Sequence, residues 1–144
     1  MKFVRALLSE EDVPQFEKLM ESARARIAAV YNSSSASQGL THGDLWINNV
    51  MFDADGDSRL LDFQFTCRCN PLTDLTLLFC SAVPPELRLQ METEWVKEYH
   101  GHLLRATRAV PDTYPLQTCQ GEYQAAKFYT LVQMVASYDS MGAM

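Results

Sequence analysis

Asp44, Asn49 and Asp62 have the residue types and the spacing of a phosphoryl-transfer centre. Moving a phosphoryl group asks little covalent chemistry of a protein, because positioning and charge neutralisation do most of the work. One carboxylate orients an attacking hydroxyl and can accept its proton. A second carboxylate, with an amide oxygen beside it, holds Mg²⁺ on the phosphates. Asp44 and Asn49 are five positions apart, the separation of the catalytic-loop Asp and the metal-binding Asn in protein kinases. Asp62 lies beyond a predicted hairpin and directly precedes Phe63. If the hairpin returns antiparallel, Asp62 arrives beside Asn49, and two oxygen ligands converge on one hard cation. Asp44 then stands a few positions away, where a substrate hydroxyl could approach.

The elements that must position these groups are legible around them. Asn49-Val50-Met51-Phe52 and Arg59-Leu60-Leu61 read as two short strands, and the Asp-Gly step in Asp53-Ala54-Asp55-Gly56-Asp57 favours a tight turn between them. That acidic turn is not a calcium loop. An EF-hand needs Gly at position 6 and an acid at position 12, where this chain has Ser58 and Gln64.

Helical spacing surrounds the hairpin. Ser9 to about Tyr31 is amphipathic, with Ser9 as N-cap, acidic Glu10, Glu11 and Asp12 in the first turn, and Pro14 where it costs least. Its apolar stripe is Val13, Phe16, Leu19, Met20, Ala23, Ile27 and Val30. Residues 32–38, rich in serine, read as a flexible loop, and Gly39-Leu40-Thr41 is too short to classify. Pro71 to Val83 is helical again, with Leu72, Leu75, Leu78 and Phe79 on one face, and Pro84-Pro85 ends it. A helix from about Glu86 to Ala109 is expected to bury Leu87, Met91, Trp95, Tyr99 and Leu103, and a last one runs from Leu116 to about Met141. The fold class is mostly α (α+β), helices around one small hairpin, in a single domain spanning 1–144.

Composition narrows the function classes. At 47% hydrophobic and 21% charged the chain is globular in character. A net charge of −6 argues against a nucleic-acid partner, whose binding rests on Lys and Arg neutralising phosphates. Cys67, Cys69, Cys80 and Cys119 have spacings that suit neither a disulfide framework nor zinc. No apolar run approaches a membrane span or a signal peptide, so a cytoplasmic location is expected. His100 and His102 are two apart on a predicted helix, do not share a face, and read as surface residues. Trp95 and Tyr99 at helical spacing read as core.

Thr41-His42-Gly43-Asp44-Leu45-Trp46-Ile47-Asn48-Asn49-Val50-Met51-Phe52, followed by Leu61-Asp62-Phe63-Gln64, resembles the ecdysteroid kinase-like (CHK kinase-like) family of the choline kinase and aminoglycoside phosphotransferase superfamily. Trp46, the paired Asn48-Asn49 and Gln64 favour this branch over choline kinases proper. Pro71-Leu72-Thr73-Asp74-Leu75 resembles the segment that opens the next helix, so the resemblance runs specifically from about Gly39 to Arg88. It implies a protein-kinase-like C-terminal lobe with Asp44 as catalytic base and Asn49 and Asp62 as Mg²⁺ ligands at the ATP phosphates. His42 would support the catalytic loop, and Asp74 would brace it by accepting backbone N–H bonds. The implied reaction moves the γ-phosphate of ATP to a hydroxyl of a sterol-like or other lipophilic alcohol. Neither Trp46 nor Asn48 receives a role, and the acceptor pocket is not legible.

The same resemblance carries a further expectation. A kinase fold has an N-terminal lobe whose strands cover ATP and supply a Lys to its phosphates. Ahead of Asp44 the chain reads as one helix and a loop, its lysines there are Lys2 and Lys18, and its six glycines form neither GxGxxG nor GxxxxGK. Arg59 and Arg68 are the nearest cations to the hairpin. The expectation is a truncated C-terminal lobe, the N-terminal lobe absent, whose uncovered apolar face predicts association. The alternative is a catalytically inactive, kinase-derived binding or regulatory protein. Intact Asp44, Asn49 and Asp62 argue against that, and a missing lobe argues for it.

Overall fold

The computed structural model describes residues 5–31 and 37–141. In chain order its main elements are α1 (Val13–Tyr31), β1 (Gly39–Thr41), β2 (Val50–Phe52), β3 (Ser58–Leu60), β4 (Cys67–Cys69), α2 (Leu72–Ala82), α3 (Pro85–Thr107) and α4 (Leu116–Met141). Short 3₁₀ turns at Ile47–Asn49 and Phe63–Phe65 flank the hairpin. The architecture is mostly helical with small antiparallel strand pairs. Residues 32–36 of the expected flexible loop lie outside the described residues, as does the side chain of Val30.

The last helix is the one the others pack on: α4 contacts α1, α2 and α3. Cys119, Tyr123 and Ala126 recur on one face of α4 and meet Leu72 of α2 and Val96 of α3 in a buried centre, with Leu75, Phe79, Tyr99 and Tyr114 partly buried against it. Complete burial of Leu72 and Val96 stabilises by about 1.5–3 kcal/mol each. The polar groups brought inside are paired. Thr76 and Thr130 share a hydrogen bond of 2.5 Å that ties α2 to α4. Lys127 donates to Glu92 at 2.9 Å and the Tyr123 hydroxyl donates to the same carboxylate at 3.2 Å, joining α4 to α3.

Several boundaries and faces differ from the sequence expectation. The first helix starts at Val13 because Pro14 has no N–H to continue a ladder backwards, and Ser9 instead caps a separate turn through Asp12. On α3, Leu87 and Met91 are exposed, and Val96 and His100 take the buried positions. His100 is therefore a correction: it lies inside, where its Nε2–H donates to the Tyr114 carbonyl at 2.7 Å. That bond satisfies the buried ring and fixes the loop after α3, which is turned by Arg108 in the left-handed region.

The hairpin pairs Val50 with Leu60, Met51 with Arg59 and Phe52 with Ser58, so its second strand sits one residue earlier than read. Its turn is held by Asp53, whose Oδ1 accepts the N–H groups of Asp55 (3.1 Å) and Asp57 (2.9 Å). A second pair, β1 with β4 (Gly39–Cys69, Leu40–Arg68, Thr41–Cys67), was not anticipated. The end where Gly39 faces Cys69 is held by one carboxylate of α4: Glu122 accepts from Ser37 N–H (3.0 Å), Asn70 Nδ2 (3.2 Å) and the Tyr114 hydroxyl (2.9 Å). Burial, and then the bond to Glu122, push the Tyr114 phenol well above its ordinary range, so it stays a donor. All four cysteines are free, as their spacing suggested.

Candidate active site

The β1 strand delivers the chain into the loop that carries Asp44. Thr41, buried at its end, donates its hydroxyl to the Cys67 carbonyl across the pair at 3.0 Å. The next two backbone N–H groups, His42 and Gly43, donate to Asp74 Oδ2 (2.6 Å) and Oδ1 (3.0 Å). Asp74 lies in the first turn of α2, where the helix dipole favours a carboxylate. One side chain therefore fixes two consecutive peptide units immediately before Asp44.

His42 is buried and locks the loop to the hairpin. Its Nδ1 accepts the Asp44 N–H at 3.3 Å, so its Nε2 carries the hydrogen and donates to the Leu61 carbonyl at 2.7 Å. The Phe63 ring packs on it with 4.8 Å between centroids. Between His42 and Asp44 the backbone needs glycine: Gly43 has φ +83°, and a Cβ there would come within 2.3 Å of the Phe65 carbonyl oxygen. Gly43→Ala is expected to destabilise the chain by about 2 kcal/mol, read as a lowered urea midpoint at constant m-value. A change below a few tenths of a kcal/mol would show that the loop is not held in this shape.

Asn49 and Asp44 are in contact. Asn49 Nδ2 donates to the Asp44 carbonyl at 2.8 Å and to Asp44 Oδ2 at 3.3 Å. The Asn49 carbonyl accepts from Leu61 N–H at 2.9 Å, which extends the hairpin by one pair and sets Asp62 just past it. Asp62 is exposed and adopts φ 61°, ψ 66°, a left-handed conformation uncommon for a residue other than glycine. Gln64 steadies its carboxylate by donating to Oδ2 at 3.2 Å. Arg59 points to the hairpin turn, 3.8 Å from Asp53.

Asn49 and Asp62 each carry an oxygen of the type magnesium takes. With Nδ2 of Asn49 committed to Asp44 and one oxygen of Asp62 to Gln64, no described residue donates to Asn49 Oδ1 or Asp62 Oδ1. No three His, Cys, Asp or Glu side chains converge among the described residues. Mg²⁺ is held by few protein oxygens with the remainder from water and phosphate, so Asn49 and Asp62 are the residues that could hold one.

A cavity of about 520 Å³ adjoins Asp44, within the size range of small-molecule sites. Trp46 and Ile47 of the loop form one wall. Leu77, Cys80 and Ser81 of α2 form another, and Gln133, Met134 and Ser137 of α4 close it. The Ile47 N–H donates to the Ser81 hydroxyl at 3.1 Å, which pins the loop to that wall. Burial pushes the Cys80 thiol up, so the sulfur stays protonated and adds to an uncharged lining. The cavity escaped sequence reasoning because its walls come from helices distant in the chain. The signal present was Gln133 inside the otherwise apolar run from Leu131 to Ala136, with Ser137 four positions after it.

Helices grouped around a small hairpin, with a His-Gly-Asp loop entering it, are consistent with a kinase-like lobe, a reading that rests on the family match. A model of the Ecdysteroid kinase-like family matches residues 1–111, and the chain belongs to that family. At family level this is kinase-like phosphotransferase chemistry. No curated protein and no solved structure matches the chain. Among the described residues no helix is long and apolar enough to cross a membrane.

Proposed function

We propose that this chain serves ATP- and Mg²⁺-dependent phosphoryl transfer to the hydroxyl of a neutral, lipophilic alcohol seated in the cavity beside Asp44. The observation that carries the reading is the shared position of Asp44, bonded to Asn49 on one side and lining the 520 Å³ cavity on the other. In this reading Asp44 accepts the proton of the acceptor hydroxyl as the oxygen attacks the γ-phosphorus and ADP leaves. Asn49 and Asp62 would hold Mg²⁺, whose charge offsets that of the phosphates when it is bound. His42 and Asp74 keep the loop in the shape that presents Asp44.

The acceptor class follows from the lining. Asp44 is the one acidic side chain among the described residues around the cavity, no basic one is among them, and the rest are apolar or neutral polar groups. A cationic acceptor would find a single carboxylate, and an anionic one would meet repulsion. A neutral alcohol is the best match. Outside the cavity, the hairpin and its flanks expose Met51, Phe52, Phe63 and Phe65 at 54–64%, a patch that supports association through this face.

A thermal-shift titration tests the nucleotide and metal parts of the reading. Mg·ATP at a hundredfold excess over its dissociation constant is expected to stabilise the chain by about 2.7 kcal/mol. Asp62→Ala is expected to remove the Mg²⁺ dependence of that shift. No shift at millimolar Mg·ATP would refute nucleotide binding by this chain, and an undiminished Mg²⁺ dependence in Asp62→Ala would refute the metal assignment.

A further inference from the structure

Three polar side chains from the helices reach the cavity beside Asp44: Ser81, Ser137 and Gln133. Ser81 has both its donor and its acceptor engaged, and Ser137 has its one donor engaged. The Ser81 hydroxyl accepts from Ile47 N–H at 3.1 Å and donates to the Leu78 carbonyl at 3.2 Å. The Ser137 hydroxyl donates to the Gln133 carbonyl in the preceding turn of α4 at 2.9 Å. Gln133 differs. Its Nε2 lies 3.5 Å from the Gly43 carbonyl, at the outer limit of a hydrogen bond, and no described residue donates to its Oε1. A half-buried amide thus keeps both a donor and an acceptor in hand, on a wall otherwise formed by Leu77, Met134 and Cys80.

We infer that Gln133 determines specificity for the acceptor's hydroxyl, binding it by donating from Nε2 or accepting at Oε1 and so holding it toward Asp44. This rests on the neutral-alcohol reading of the cavity. A hydroxyl both donates and accepts, and an amide is its complement on both counts. A ligand lacking that hydroxyl would leave the amide poorly paired inside an apolar enclosure, which is the arrangement that rejects deoxy analogues. Gln133 also borders the small space of about 20 Å³ behind the loop, beside Thr41, Cys69 and Asp74. Among the described residues, the long contact with Gly43 is the one side-chain hydrogen bond that movement of its amide onto a ligand would break. The residue stands beyond the 1–111 segment that matches the family, so this assignment comes from the cavity itself.

The test uses the 144-residue chain and two neutral steroid probes, testosterone and androst-4-en-3-one, which differ by one hydroxyl. Calorimetric titration is expected to show testosterone bound about threefold to tenfold more tightly, the range of one neutral hydrogen bond. Gln133→Met keeps the side chain's length and removes the amide. It is expected to bind the deoxy steroid at least as well as the wild type does and to lose the preference. A merely structural role would weaken both probes together, so an unchanged ratio in Gln133→Met overturns the assignment. Equal binding of the two probes by the wild type overturns it without any variant. Failure of the wild type to bind either probe removes the neutral-lipophile reading and this inference together, which sets that failure apart from the other two.

Discussion

Asp44→Asn is expected to lower kcat for phosphoryl transfer to an alcohol by about 10²- to 10⁴-fold, the range for removing a positioned general base. The substitution is chosen because the surroundings tolerate it. The stronger of the two Asn49 contacts goes to the Asp44 main-chain carbonyl, which the variant retains, and an amide oxygen can still accept the longer one. His42 bonds the main-chain N–H of position 44, which is also retained. What changes is the ability to take a proton. The measurement is transfer of labelled γ-phosphate from ATP to the alcohol, beside the Mg·ATP thermal shift on the same preparations. Equal falls in kcat and kcat/KM with an unchanged shift mark a group that acts in the transition state. A kcat within threefold of wild type would remove Asp44 from the reaction. A wild-type chain that binds Mg·ATP and transfers nothing would favour the inactive, kinase-derived binding protein instead.

The site was legible to the extent that it is local. Asp44, Asn49 and the hairpin lie within one short stretch, where turn chemistry decides the shape. Asp53 can bond its own neighbours' N–H groups and Gly56 can enter the left-handed region, and both do so. The β1–β4 pair was illegible for the opposite reason. Strands of three residues show no alternation to read, and this pair depends on Glu122, a carboxylate from α4 that accepts from Ser37 ahead of β1 and from Asn70 after β4, at the same end of the ladder. The cavity is likewise a product of packing: Leu77 and Met134 face the same space because their helices pack together through Leu72, Tyr123 and Ala126 and are tied by Thr76 and Thr130.

Helix α3 shows a subtler failure, in phase and not in period. An apolar stripe through Leu87, Met91, Trp95, Tyr99 and Leu103 is a fair reading of hydrophobicity alone. The helix instead turns Glu92, Val96 and His100 toward α4 and its flanking loop, at the same four-residue spacing but rotated by one position. The polar members of that stripe have partners waiting: Lys127 and Tyr123 for Glu92, the Tyr114 carbonyl for His100. A buried polar group that is fully paired costs little. Trp95 still finds a half-buried place, 5.1 Å between centroids from Phe79. Hydrophobic periodicity could identify the helix and could not tell which side would find complementary groups.

Asp74→Ala is expected to be the most destabilising single change near the site, at about 3 kcal/mol. The His42 and Gly43 N–H groups both donate to its carboxylate, at 2.6 and 3.0 Å, and bonds to a charged acceptor contribute about 1.5–3 kcal/mol each. Alanine leaves two partly buried donors without a partner and removes a negative charge from the first turn of α2. Partial access of water to the loop keeps the loss below the sum of the two bonds. Asp74→Asn should fall between wild type and alanine, because its amide offers one acceptor oxygen and turns an N–H₂ toward the second donor. Urea unfolding at fixed pH reads the size of the loss. Amide hydrogen exchange reads its place, since His42 and Gly43 should exchange faster in the variant by local opening before the helices unfold. A loss under about 1 kcal/mol, with exchange at those two amides unchanged, would show that the loop before Asp44 is held by something other than Asp74.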